Sequence, residues 1–155
     1  MTLLSVRDLH VWFDLPDGRE LRAVQDVAFD LDSGERMGLV GESGCGKTTT
    51  ILALMGLLPS SASVGGEVLL DGVNILGEGE ESLRPHRWNE IAMVFQGAMN
   101  ALNPVKSIEY QIVEPMELHH QAEGAAASKR AGELLELVGI PAGAGARYPH
   151  EFSGG

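Results

Sequence analysis

The 155-residue sequence predicts an α/β fold in which a core carries subdomains. In the first third, apolar and polar residues alternate as they do in β-strands, whereas the stretch beyond Pro104 changes to a helical spacing. Between these regions, the glycine-rich stretch 41–46 joins a short apolar segment to a predicted helix. Strands, a glycine-rich turn and a helix in this order are typical of an α/β core.

Several strands are predicted in the N-terminal half. Leu9, Val11 and Phe13 alternate with their neighbours, residues 14–20 form a turn, and 21–31 provide the return strand of a hairpin. A second turn is predicted at 32–35. Further along, a short buried strand is predicted at 37–40, a helix at 48–58, a loop at 60–66 and a strand at 67–72. Another short buried strand is predicted at 91–95.

The C-terminal third is predicted to be helical. Two sets of apolar residues there recur at helical spacing. The first set is Ile108, Ile112, Val113 and Met116, and the second is Ala131, Leu134, Leu135 and Val138. Residues 139–147, which are rich in glycine and alanine, are predicted to be a loop.

Charge and composition exclude several classes of protein. The net charge is −11, which argues against nucleic-acid binding because few side chains could neutralise phosphates. The longest apolar run, 51–58, falls well short of the roughly 20 residues that a membrane span requires. The N-terminus has no basic region before a long apolar stretch, and the single Cys45 fits a reducing compartment.

Residues 41–48 match the phosphate-loop pattern G-x-x-x-x-G-K-[ST]. Its glycines allow successive backbone N–H groups to face phosphate oxygens, and the following helix adds its positive N-terminal end. Lys47 would reach the β- and γ-phosphates, and the Thr48 hydroxyl would ligate Mg²⁺. The alternative is a chance match among 20 glycines, but a predicted strand before the loop and a predicted helix after it favour nucleotide binding.

Two further motifs narrow the class of phosphate-loop protein. The predicted strand 91–95 ends at Gln96, and "YPHEFSGG" occupies 148–155. With "GESGCGKT" and "VFQGAMNALNP", these motifs resemble the ATP-binding cassette (ABC) family, and specifically the oligopeptide/dipeptide (and nickel) importer branch. The resemblance covers essentially the whole chain. One departure is Gly97-Ala98, where many members have an acidic residue and a proline.

The resemblance implies a P-loop NTPase fold with a RecA-like core, an N-terminal antiparallel β subdomain and the start of an ABC helical subdomain, here truncated. The implied domains are 1–104, with a phosphate loop at 41–49 and a glutamine loop at 96–104, and 105–155, which ends inside an incomplete signature motif. The cofactors implied are ATP and Mg²⁺.

The resemblance also implies site residues. Lys47 and Gln96 would act in catalysis, and Thr48 and Gln96 would ligate Mg²⁺. The signature residues Ser153, Gly154 and Gly155 would face the nucleotide of a second subunit. An aromatic residue would stack on adenine, with Phe13 or Trp12 as the candidate. The nucleotide-binding set is Gly41, Glu42, Ser43, Gly44, Cys45, Gly46, Lys47, Thr48, Thr49 and Phe13.

The partners implied are transmembrane permease subunits, a second ATP-binding subunit arranged head to tail and, indirectly, an extracytoplasmic solute-binding protein. The chain would then act peripherally at the cytoplasmic face of the plasma (inner) membrane. A soluble ABC ATPase acting on nucleic acid or ribosomes is an alternative, which the acidic charge argues against.

In the family, the acidic Mg²⁺ ligand, the catalytic glutamate and the switch histidine lie downstream of the signature. We therefore expect little ATP hydrolysis from residues 1–155 alone, and marginal stability because apolar strand faces would lack partners. An alternative to the importer ATPase is thus a catalytically incomplete fragment that binds nucleotide without hydrolysing it.

Overall fold

The computed structural model describes residues 1–77, 79–95, 97 and 101–152. The chain divides into two compact units, Met1–Ala92 and Met93–Gly155. The predicted division into domains after residue 104 remains a prediction.

The first unit contains a sheet with strand order β2-β1-β3-β4. Its strands are β1 (Thr2–Asp14), β2 (Glu20–Asp32), β3 (Ala62–Leu70) and β4 (Val73–Asn74), and all neighbouring pairs are antiparallel. The predicted hairpin is confirmed: β1 and β2 pair, and the Leu15 N–H donates to the Arg19 carbonyl oxygen at 2.8 Å within the turn.

Bulges keep the apolar residues of β1 and β2 on the core face. In β1, the register with β2 shifts between Val6 and Leu9, and Asp8 between them has φ 47°. In β2, Val24 and Val27 are three residues apart yet oppose Val11 and Leu9, which are two apart. An extra residue in one strand accounts for both spacings, because side chains otherwise alternate strictly between faces.

Helix α1 (Lys47–Leu54) packs its Ala53 and Leu54 into the core against the sheet. It ends earlier than the predicted 48–58 because the chain turns at Gly56, where φ is 60°. Arg87 lies after the short helix α2 (Glu80–Leu83) and contacts this end of α1. Its Nε atom donates to the Met55 carbonyl oxygen at 2.9 Å, and its Nη2 atom donates to the Gly56 carbonyl oxygen at 3.0 Å. A cation at this end complements the helix dipole.

Two of the predicted buried strands are wrong. Segment 37–40 is not a strand, and Val40 is 89% exposed. Segment 91–95 has only a single bridge, between Ile91 and Arg87, and Val94 is 91% exposed. Strands form only where a neighbouring strand accepts their backbone hydrogen bonds. Among the described residues, none forms a ladder with either segment.

The prediction of a loop at 60–66 is also wrong, because β3 already begins at Ala62. Gly65 and Gly66 suggested a break, but β1 pairs with β3 on both sides of Gly66, with Gly65 opposite His10 and Glu67 opposite Arg7. Gly66 itself, at φ 98°, lies at the register shift between these two pairs. The predicted strand at 67–72 is therefore the second half of a longer strand.

The second unit is helical, as predicted. Helix α3 (Ile108–Leu118) begins at Ser107, whose hydroxyl accepts a hydrogen bond from the Tyr110 N–H at 3.2 Å. Helix α4 (Gly124–Leu137) buries Ala127, Ala131 and Leu135. Part of the predicted loop 139–147 is instead a 3-10 helix, Ala142–Ala146, which packs on α3 and α4, and a second one spans Pro149–Glu151.

Candidate functional site

The loop 41–46 connects the exposed segment 37–40 to α1. Two of its glycines are in the left-handed region, Gly44 at φ 83° and Gly46 at φ 92°. Gly46 also lies directly on β2: a Cβ atom at this position would be 2.7 Å from the Ala23 carbonyl oxygen and 3.4 Å from Val24 Cγ2. Only glycine combines a positive φ with the absence of a Cβ atom, and this allows the end of the loop to pack directly against the sheet.

Thr50 anchors the first turn of α1 to the loop. Its backbone N–H donates to the Gly46 carbonyl at 2.8 Å, and its hydroxyl donates to the same oxygen at 3.0 Å. The side chain is buried, with 4% of its surface exposed. The helix entry is therefore fixed relative to the sheet.

The Lys47 ammonium group lies within the loop. Nζ donates to the carbonyl oxygens of Gly41 at 2.8 Å and Glu42 at 2.6 Å, and it is 3.4 Å from the Cys45 sulfur. The side chain thus curls back over the loop and places a positive charge at its centre. The loop carbonyls alone would attract a cation; the ammonium makes the same place attractive to an anion.

The start of α1 adds a second source of positive potential. The N–H groups of Lys47, Thr48 and Thr49 belong to the first turn of a helix, where no intrahelical acceptor is available. The partial positive charge of the helix end falls on the same side as the ammonium. Together they fit a phosphate group, which carries negative charge and several acceptor oxygens.

The predicted loop residues therefore come together in one place. Glu42, Ser43 and Cys45 are exposed on the loop, and the exposed Thr48 offers a hydroxyl at the first turn of α1. A threonine hydroxyl is a hard oxygen ligand of the kind that Mg²⁺ accepts, alongside phosphate oxygens and waters. The donor set thus fits both a nucleotide phosphate and its magnesium ion.

The two aromatic candidates differ in their surroundings. Phe13 is half-buried and packs against the core cluster of the first unit. Trp12 lines a cavity of about 350 Å³ together with His10 and Arg22. Stacking on adenine by Phe13 stays a prediction. Gln96 and the signature residues Ser153, Gly154 and Gly155 lie outside the described residues.

Two features that position the site do not appear among the predictions. Thr50 was recognisable in principle, since a threonine four residues after a glycine at a helix start can donate back to that carbonyl. The close contact of Gly46 with Ala23 could not be predicted from the sequence, because it depends on the tertiary packing of β2 against α1.

Comparisons with known proteins show which family the chain resembles. The family described as "ABC transporter" matches residues 24–155. The oligopeptide transport ATP-binding protein OppD of Escherichia coli (strain K12) is 42% identical over 155 residues, covering 99% of this chain and 46% of that protein. The peptidoglycan transport ATP-binding protein YejF of Agrobacterium fabrum (strain C58 / ATCC 33970) is 48% identical over 157 residues, covering 99% of this chain and 29% of that protein.

The fold is also similar to a solved structure. The ATP-binding cassette MJ0796, a dimer in a post-hydrolysis state bound to ADP and Pi, superposes with a TM-score of 0.79 at 21% identity, covering 97% of this chain and 63% of that one. The chain spans less than half of the length of the two curated relatives. No helix within the described part of the chain is long and apolar enough to cross a membrane. Because the family model matches residues 24–155, the chain belongs to the ABC transporter family.

Proposed function

We propose that this chain is part of the ATP-binding subunit of an ABC importer, which couples Mg·ATP binding and hydrolysis to the uptake of peptides or a related solute. The observation that carries the proposal is the position of the Lys47 ammonium group within the loop, 2.8 Å and 2.6 Å from the carbonyl oxygens of Gly41 and Glu42. Relatives that bear the printed names of peptide and peptidoglycan transport proteins support the solute class.

Each site residue has a proposed task. Residues 41–49 bind the triphosphate, with Lys47 on the β- and γ-phosphates and Thr48 on Mg²⁺. Gln96 completes the magnesium site and orients the attacking water, for which an amide offers both an acceptor and a donor. Bound Mg²⁺ neutralises charge on the phosphate oxygens. Phe13 stacks on the adenine, which is a sequence-tolerant use of an aromatic face.

The proposed assembly follows from the same family membership. Two ATP-binding subunits pair head to tail, so that Ser153, Gly154 and Gly155 of one contact the nucleotide held by the other. The pair docks on transmembrane permease subunits at the cytoplasmic face of the plasma (inner) membrane. A solute-binding protein delivers the cargo on the opposite side, and the partner is not a nucleic acid.

The test is transport by the reconstituted complex. The subunit that carries this sequence would be assembled with its permease subunits in proteoliposomes, with uptake of a labelled peptide and release of phosphate measured together. We expect ATP-dependent uptake that Lys47→Ala abolishes and that Lys129→Ala, at an exposed lysine on α4, leaves unchanged. Uptake or hydrolysis that is equal in the wild type and in Lys47→Ala would overturn the proposal.

A second candidate is nucleotide binding without hydrolysis by the 155 residues alone. An ATPase assay beside a binding assay separates the two: turnover at a rate typical of intact ATPases would exclude this candidate.

A further inference from the structure

The buried hydroxyl group of Thr50 has no part in the proposed contacts with the nucleotide. Thr50 lies near the start of α1, and 4% of its surface is exposed. Its Oγ1 atom donates to the Gly46 carbonyl oxygen at 3.0 Å, and its N–H donates to the same oxygen at 2.8 Å. The bond from the N–H belongs to the helix, whereas the hydroxyl adds a second donor that a valine side chain would lack.

The Gly46 carbonyl and the Lys47 N–H belong to the same peptide unit. Among the described residues no peptide bond is cis, so these two groups point in opposite directions from one plane. Thr50 holds the carbonyl toward the helix. The Lys47 N–H is thereby directed out of the helix end, toward the place proposed for the phosphates.

Gly46 cannot move toward the sheet, because a Cβ atom there would already be 2.7 Å from the Ala23 carbonyl oxygen. The main motion left to the peptide unit between Gly46 and Lys47 is a change of tilt about the line that joins their α-carbons. Glycine, at φ 92°, has no side chain that would limit this tilt. Two donors that engage both lone pairs of the carbonyl oxygen restrain it more than one donor would.

Packing alone does not explain why this buried position carries a hydroxyl group. Thr50 is followed along α1 by Ala53 and Leu54, which are buried in the apolar core. Burial of a hydroxyl costs free energy unless it forms a hydrogen bond, and a valine side chain has nearly the same shape. A bond from a threonine to the carbonyl four residues earlier also tends to bend a helix rather than to stabilise it. The hydroxyl therefore fits a task at the loop better than a task in the core.

We propose that Thr50 is a positioning residue, whose hydroxyl fixes the tilt of the peptide unit between Gly46 and Lys47 and so aims the Lys47 N–H at a phosphate group of the bound nucleotide. This inference rests on the proposed function. Thr50 acts through that peptide unit and does not touch the nucleotide. All the residues involved lie within the first unit, Met1–Ala92.

The test is calorimetric titration of the complete subunit with Mg·ATP and, separately, with magnesium tripolyphosphate. Tripolyphosphate has neither base nor sugar, so it reports the phosphate contacts alone. Thr50→Val removes the hydroxyl and keeps the shape of the side chain. We expect it to weaken the binding of both ligands by the same factor, roughly 3- to 10-fold, because a misaligned N–H keeps only part of a hydrogen bond to a charged oxygen.

Thr50→Ser separates positioning from stability. It keeps the hydroxyl but loses a buried methyl group, so it should unfold at a lower temperature than Thr50→Val and yet bind both ligands as the wild type does. Affinity and stability should thus change in opposite directions between the two variants. The matched control is Ile75→Val, which removes a methylene group from the same core cluster and should lower stability without changing affinity.

Equal affinities of Thr50→Val and the wild type for both ligands would overturn the role of Thr50. So would weaker binding of Mg·ATP with unchanged binding of tripolyphosphate, because the effect would then lie outside the phosphate contacts. Affinities that follow thermal stability across all the variants would also overturn it. If the folded wild-type subunit bound neither ligand, the proposed function itself would fall, and this role with it.

Discussion

Lys47 and Cys45 share the centre of the phosphate loop. The Lys47 ammonium is 3.4 Å from the Cys45 sulfur, and a Cβ atom on Gly41 would come within 2.6 Å of the same sulfur. The loop therefore has little spare room around this thiol, which is nevertheless exposed at the surface. A group attached to the sulfur would have to extend into the space that the phosphates are proposed to occupy.

This crowding leads to the first prediction. Alkylation of Cys45 with N-ethylmaleimide should abolish binding of Mg·ATP, because the added ring competes with the phosphates for the loop. Mg·ATP present during the reaction should protect the thiol. Since Cys45 is the single cysteine of the chain, intact mass spectrometry reports its modification directly, and a fluorescent nucleotide reports binding.

The control is Cys45→Ser, which should bind nucleotide and be insensitive to the reagent. Serine keeps the size of the side chain and removes the nucleophilic thiolate. If fully alkylated wild-type protein bound Mg·ATP as well as untreated protein, the nucleotide would not lie in this loop.

At the scale of elements, the site depends on the contact between α1 and β2. Gly46 and Gly44 provide a matched pair for measuring it, because both have a positive φ but only Gly46 lies against the sheet. Gly44→Ala adds a methyl group with nothing within 4 Å, whereas Gly46→Ala places one 2.7 Å from a backbone oxygen of β2.

The second prediction follows from this pair. Both substitutions should lower the free energy of unfolding by about 1–2 kcal/mol through left-handed strain. Gly46→Ala should cost a further 1–3 kcal/mol or so, because α1 must move away from Ala23. Urea unfolding followed by circular dichroism measures both. If both variants lowered the free energy of unfolding by the same amount, the packing of the loop against β2 would contribute nothing to stability.

The element scale also explains how much could be predicted from the sequence. The hairpin 9–31 is predicted by the alternation of apolar and polar residues and by a turn that contains Pro16 and Gly18. The helices of the second unit are predicted by the helical spacing of their apolar residues. The phosphate-loop motif predicts the site residues 41–49 from the sequence alone, and their role in binding stays a prediction. The segments 37–40 and 91–95 have the composition of buried strands, but composition does not supply a pairing partner.

The loop predicted at 60–66 failed for the opposite reason. Gly65 and Gly66 have weak strand propensity, yet β1 pairs with β3 on both sides of the register shift at Gly66, and this pairing overrides the local preference. The contacts of Gln111 with the turn at 103–107 could not be predicted either, since a glutamine in a helix is usually solvated and its partners depend on the path of the preceding segment.

At the scale of the whole molecule, apolar side chains are exposed to solvent on two segments, 37–40 and 91–95, that have the composition of buried strands. Val40 is 89% exposed, and Val94 is 91% exposed. Extended apolar segments with unpaired backbone groups are templates for pairing with another chain. This exposure supports the expectation that residues 1–155 alone are marginally stable.

The third prediction is that the isolated 155-residue chain self-associates through these segments. Light scattering should show species larger than a monomer for the wild type, and the double variant Val40→Lys/Val94→Lys should shift the distribution toward the monomer. Val105→Lys is the control, because Val105 is also exposed but lies in the turn that Gln111 holds. A monodisperse wild-type monomer, or an equal effect of the control, would contradict the prediction.

The central claim is that this chain binds Mg·ATP at the loop 41–49, and calorimetric titration tests it most directly. We expect the wild type to bind and Lys47→Ala to bind roughly 10- to 100-fold more weakly, because hydrogen bonds from a charged group contribute about 1.5–3 kcal/mol. Lys129→Ala should match the wild type. Undetectable binding by folded wild-type protein, or an equal affinity of Lys47→Ala, would contradict the claim.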